Sequence, residues 1–131
     1  MCPYVNIGYI LKRINVYILK RGLDLMIFLG VETSGLDPKK HGILSLGAID
    51  FKNPTNQFYE ECKIEDFKEI DPKALEVNGF DIKDIKNSDK KEFKGILEDF
   101  NSWVNGMENI TLVGHNIAGF DCLFLKEVVE K

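Results

Sequence analysis

Between residues 26 and 105 the hydrophobic pattern changes period at Asp71-Pro72, and no other feature limits the fold as strongly. Before that point apolar residues come in short runs broken by turn signals; after it they recur at helical spacing. Residues 26–31 form a brief apolar run, read as a buried strand, and the Gly, Pro and charges of 34–42 mark a turn. "ILSLGAIDF" (43–51) and "QFYEECKI" (57–64) are a second and third strand, joined across Asn53-Pro54. Connections this short make the three strands an antiparallel meander. Asp71 and Pro72 read as the N-cap and first residue of a helix that Gly79 stops. A longer helix is expected over 88–105, with Phe93, Leu97, Phe100 and Val104 as one stripe, Ile96 and Trp103 beside it, and Gly106 closing it. Residues 110–113 read as a fourth strand, 114–119 as a loop and 120–130 as a last helix. A helical crossover sets the fourth strand parallel to the first and beside it. The expected fold is α/β: a mixed sheet of three antiparallel strands plus a parallel fourth, with flanking helices.

At 131 residues, 44% of them hydrophobic, the chain suits one domain with a real core. A net charge of −4 argues against a basic nucleic-acid binder, but not against an enzyme that grips a strand end through metal ions. Cys2, Cys62 and Cys122 form no CxxC pair, so we expect reduced thiols in a cytoplasmic protein, with neither a zinc site nor a disulfide framework. Residues 1–25 differ from the rest. They carry Lys12, Arg13, Lys20 and Arg21 against Asp24 alone, a net +3, which leaves −7 for the remainder. Ile7, Leu11, Ile14 and Ile18 recur at helical spacing, so a helix lying on a membrane surface is one reading; the favoured one is that Met26 is the natural start and residues 1–25 an extension, with no membrane partner expected. Lys12 and Arg13 cut the apolar run well short of the roughly 20 residues that a membrane span needs. The division expected is a basic, apolar extension over 1–25 and a domain over 26–131.

The chemistry-bearing stretch is "FLGVETSGLDP", residues 28–38. On a strand, Gly30 and Glu32 point to the same face, so Glu32 is a carboxylate whose same-face neighbour has no side chain. Asp121 falls in the first turn of the helix after strand four. Parallel neighbouring strands end at one edge of the sheet, and open α/β sheets place their sites at that edge. Two carboxylates brought together there suit a divalent ion with oxygen ligands, Mg²⁺ or Mn²⁺. Spacing alone also allows a plainer account, a Glu beside a turn and an Asp favoured by a helix dipole.

"VETSGLDP", followed later by "GHNIAGFDCLFL", resembles two of the three motifs of the DEDD 3′→5′ exonucleases. That superfamily includes the proofreading subunit of replicative DNA polymerase, ribonuclease T and oligoribonuclease. The resemblance runs from Met26 to the C-terminus and implies a ribonuclease-H-like fold. In the family's first motif, Asp-x-Glu, Glu32 matches the glutamate, a metal ligand that orients the attacking water, while Gly30 stands where the aspartate is expected. Asp121 matches the aspartate of the second motif, also acting on metal. Thr33, Gly35, Leu36 and Phe120 would border the terminal nucleotide, and Asn116 would tie its loop down. The third motif, with a fourth carboxylate and a His or Tyr base, would lie beyond Lys131, so the resemblance leads us to expect the C-terminal part of the fold to be missing.

The family mechanism uses two metal ions about 3.5–4 Å apart, bridged by the carboxylate at position 30. With Gly30 there, the metal pair is expected to assemble poorly and hydrolysis to be severely impaired. The implied partner is a single-stranded DNA or RNA 3′ end, with a polymerase or other protein as a further partner. Two readings stay open beside this one: a non-catalytic remnant that holds strand ends or a protein, and a truncated reading frame without function. His115 belongs to the second motif, where the resemblance gives it no proton-transfer role. His41, beside Lys39 and Lys40, reads as a solvated loop residue or a phosphate contact.

Overall fold

The computed structural model describes residues 25–105, 110–114 and 120–129. The expectations for residues 1–24, Gly106, His115, Asn116 and Glu130 lie outside them. In chain order the elements are β1 (Leu25–Thr33), β2 (Ile43–Asp50), β3 (Gln57–Glu61), α1 (Pro72–Asn78), α2 (Ile82–Ile85), α3 (Phe93–Val104), β4 (Ile110–Val113) and α4 (Asp121–Val129). Among the described residues the sheet order is β3-β2-β1-β4. β2 runs antiparallel to both its neighbours, and β4 runs parallel to β1, with Phe28 opposite Val113. This is the mixed ribonuclease-H-like sheet expected, with the parallel strand delivered by the helical crossover.

The core lies on one face of this sheet. Ile27 and Leu29 of β1 and Leu46 and Ala48 of β2 meet the stripe Phe93, Ile96, Leu97, Phe100 and Val104 of α3, and Phe124 and Leu125 of α4. The α3 stripe follows the i, i+3, i+4, i+7 rule, and each such side chain fully buried contributes roughly 1.5–3 kcal/mol. Trp103 sits at the rim, its ring near Phe58 and Phe100, its Nε1–H donating to Asn56 Oδ1 at 3.0 Å. A smaller cluster of Leu44, Ile64, Leu75 and Ile85 secures α1 and α2 beside the sheet.

The structure corrects four details. β1 is buried on one face only: Phe28 is 39% exposed, and Gly30 and Glu32 are exposed with it. The third strand stops at Glu61, because Ile64 leaves the ladder to donate its N–H to Ile85 O at 2.8 Å. The long helix begins at Phe93. Residues just before it are held out of the helix by Lys63, whose N–H bonds to Lys91 O at 2.8 Å and which forms a bridge with Glu92. Last, α2 has no counterpart in the periodicity, since four residues are too few to show a period; its one signal is the N-cap Asp81, which accepts from Lys83 N. The caps of α1 are as read: Asp71 accepts from Lys73 N, and Gly79 takes the left-handed conformation, φ 77°, that favours glycine.

Candidate functional site

The two acids are brought to one edge by a shortage of ladder partners. β4 pairs with β1 as far as Phe28, and among the described residues no strand pairs with that side of β1 beyond it. Asp121, the first residue of α4, fills the vacancy: its Oδ2 accepts from Val31 N at 3.3 Å. Val31 lies between Gly30 and Glu32. Asp121 is buried at 6% exposure, whereas Glu32 is exposed. The β1–β2 register slips between Glu32 and Thr33, a bulge at the point where the strand hands over to the turn. At Gly30 a Cβ would meet nothing within 4 Å, so the position opposite Gly47 is open space. Among the described residues no group of three or more His, Cys, Asp or Glu side chains is arranged to hold a metal ion.

The turn after Glu32 is heavily bonded. Thr33 is buried and donates its hydroxyl to Gly35 O at 2.7 Å. Ser34, fully buried, donates to Glu69 O at 2.6 Å and accepts from Gly42 N at 3.0 Å, while its backbone bonds to Gly42 and Asp71. Asn78, at the end of α1, donates through Nδ2 to Thr33 O at 3.1 Å. Leu36 is left 79% exposed at the tip. Phe120 is half-buried, its ring 4.9 Å from that of Phe124.

Glu32, Asp121, Thr33, Gly35 and Leu36 thus lie on one continuous edge, with Phe120 immediately before Asp121. Ser34 and Asn78 are supports that the sequence reading did not single out. Ser34 stood inside the quoted stretch without a role. Asn78 had no signal, because its partner lies 45 residues away. His41, read as solvated or phosphate-facing, is half-buried and packs against Gly35. The correction follows from the turn folding back on itself, with His41 N donating to Asp37 O at 2.7 Å.

Burial also sets the state of the nearby thiols. Burial, followed by the charge of Asp121, pushes the Cys122 thiol up to about 11. Burial pushes Cys62 up to about 12, and its Sγ–H donates to Ile43 O. Both thiols stay protonated and unreactive at about pH 8, since the thiolate is the nucleophile. Iodoacetamide followed by peptide mapping is expected to label Cys62 and Cys122 only after unfolding. Labelling of Cys62 in the native protein at the rate of a free thiol would contradict the burial described.

Comparisons with known proteins agree with this architecture. The family model described as Exonuclease (RNase_T) matches residues 27–131. The 3′–5′ DNA exonuclease Cap18 of Escherichia coli is 31% identical over 107 residues, which cover 78% of this chain and 55% of that protein. Ribonuclease T of Haemophilus influenzae is 31% identical over 117 residues, covering 80% of this chain and 51% of that one. The chain therefore spans about half the length of these relatives. A zinc-bound complex of E. coli exonuclease I with single-stranded DNA superposes with a TM-score of 0.65 at 17% identity, over 80% of this chain and 23% of that one, which is a likeness of fold.

Proposed function

Because the chain belongs to the DEDD family of 3′→5′ exonucleases, we propose that it is a strand-end domain, directed at the 3′ end of single-stranded DNA or RNA, in which hydrolysis is severely impaired. The observation that carries the reading is the bond from Val31 N to Asp121 Oδ2. It sets one carboxylate beside the strand end that bears the other, at the sheet edge where α/β folds bind ligands.

A pair of divalent ions supplies this family's chemistry by clamping the attacking and leaving oxygens of a phosphodiester. The residues present do not fit such a pair. Glu32 and Asp121 are two carboxylates, the position in β1 where the family carries a third is Gly30, and nothing among the described residues replaces it. Water can fill a coordination position but not the missing negative charge. What the chain's own groups do is narrower. Asp121 fixes α4 to β1, Glu32 presents a charge to solvent, and the Thr33–Leu36 turn offers a rigid backbone capped by the exposed Leu36 for contact with the last nucleotide.

The test is a 3′-end-labelled oligonucleotide incubated with Mg²⁺ or Mn²⁺. No nucleotide release above background is expected from this chain. Rapid metal-dependent degradation would overturn the impairment. In metal-free buffer, binding of the oligonucleotide that weakens with salt supports the strand-end reading.

A further inference from the structure

We propose that His41 is the positioning residue of the strand-end turn: its neutral imidazole props up Gly35–Leu36, so the turn loses its shape, and its hold on a nucleic-acid end, in acid. The proposal rests on the strand-end reading above for its consequence, but not for its geometry.

Three observations carry it. Asp37 N donates to His41 Nδ1 at 3.1 Å. A backbone N–H can only donate, so Nδ1 must be the unprotonated nitrogen of a neutral ring. Next, the ring fills the space that a side chain at position 35 would need: a Cβ on Gly35 would collide with Cδ2, Cγ and Nε2 of His41. The glycine and the imidazole are therefore complementary, and the backbone of the turn rests directly on the ring. Finally, His41 is itself anchored, its N–H on Asp37 O at 2.7 Å and its strand-like pairing with Glu69 supported by Glu69 N donating to Lys40 O at 2.8 Å. The ring is thus held between a fixed loop and the turn it supports.

Protonation makes Nδ1 a donor and sets it against the Asp37 N–H. Two donors face one another, the bond is lost, and the ring must rotate or withdraw from Gly35. The charged groups around it come from two segments. Its own loop carries Asp37, whose carboxylate accepts from Lys39 N at 2.9 Å, together with Lys39 and Lys40. The facing segment carries Glu69 and Lys68, the latter donating to Pro38 O at 3.2 Å. In the structure Nδ1 is partnered by the Asp37 N–H, and among the described residues neither segment makes a side-chain bond to it.

The sign of the effect separates this role from a phosphate contact. A histidine that touched phosphate would strengthen binding as it gained charge; a histidine that shapes the turn weakens it. The experiment follows the Asp37 amide and the His41 ring by ¹H–¹⁵N and ring-proton NMR across about pH 5 to 8, in the native chain, His41→Asn and His41→Ala. Asn offers an acceptor oxygen near the place of Nδ1 and does not titrate. In the native chain the Asp37 amide is expected to move with the same midpoint as the ring; in His41→Asn it stays hydrogen-bonded and flat; in His41→Ala it is unbonded at every pH. An Asp37 amide that ignores the ring's titration, or that is unbonded in His41→Asn as in His41→Ala, overturns the positioning role.

Binding of a fluorescent oligothymidylate in metal-free buffer, measured on the same proteins, tests the consequence. Native binding should weaken by about threefold or more toward acid, with His41→Asn unchanged. Native binding that is flat or tightens in acid overturns the release. No binding by any of the three at any pH overturns the strand-end reading and leaves the His41–Asp37 bond to be judged by the amide alone.

Discussion

Restoring a carboxylate at position 30, as Gly30→Asp, should raise the affinity for Mn²⁺ by at least about tenfold, read by isothermal titration calorimetry. The backbone admits the change: Gly30 lies in β1 away from positive φ, and a Cβ there meets nothing within 4 Å. Electrostatics sets the size. One unit charge about 4 Å from another interacts by roughly 4 kcal/mol at an effective dielectric of 20, and a divalent ion doubles the attraction before desolvation is subtracted. Tenfold, about 1.4 kcal/mol, is therefore a lower bound. In EDTA the sign reverses. A third carboxylate beside Glu32 and Asp121 then meets only repulsion, and the variant should melt below the parent chain, crossing above it as Mn²⁺ is added. Equal Mn²⁺ affinity for parent and variant would show that position 30 does not face the two acids.

The other large effect concerns the helix that delivers Asp121. Phe124 is buried at 2% exposure between α4 and the sheet, with the Phe120 ring tilted against it at 53°. Phe124→Ala is expected to lower the unfolding free energy by about 3–5 kcal/mol, the transfer loss plus the cavity left behind. Urea unfolding measures it directly as a shift in midpoint at unchanged slope. The consequence reaches the site, because α4 is tied to β1 at its first residue by the Val31–Asp121 bond and along its length by this ring. A loss below about 1 kcal/mol would mean that α4 does not pack on the sheet in solution. Leu123, on the same helix but 45% exposed, is the matching control: its truncation should cost little.

Element types were legible because each rests on local chemistry. The α3 stripe from Phe93 to Val104, the Asp71–Pro72 start and Gly79 stop of α1, and the meander of β1, β2 and β3 all follow from side-chain spacing and caps that a few neighbouring residues determine. The parallel placement of β4 beside β1 was legible too, since a helical crossover permits little else. The positions of the acids at 32 and 121, a strand end and a first helical turn, were legible for the same reason; a site role for the pair is what the family resemblance implies.

What the amino-acid order decided alone, then, was the kind of every element but α2, the parallel placement of β4 beside β1 and which residue types stand at the sheet's edge. The tertiary structure decided what those residues touch. Only packing shows that Asp121 takes the N–H left over where β4 stops, that Lys63 delays the start of α3, that Asn78 holds Thr33 across 45 residues, and that His41 lies against Gly35 with Nδ1 accepting from Asp37 N. Each of these joins groups distant in sequence or folded back through a turn. Their partners are set by which backbone hydrogen bonds the sheet leaves unmade and which spaces the glycines leave empty, quantities that exist only once the chain has closed on itself.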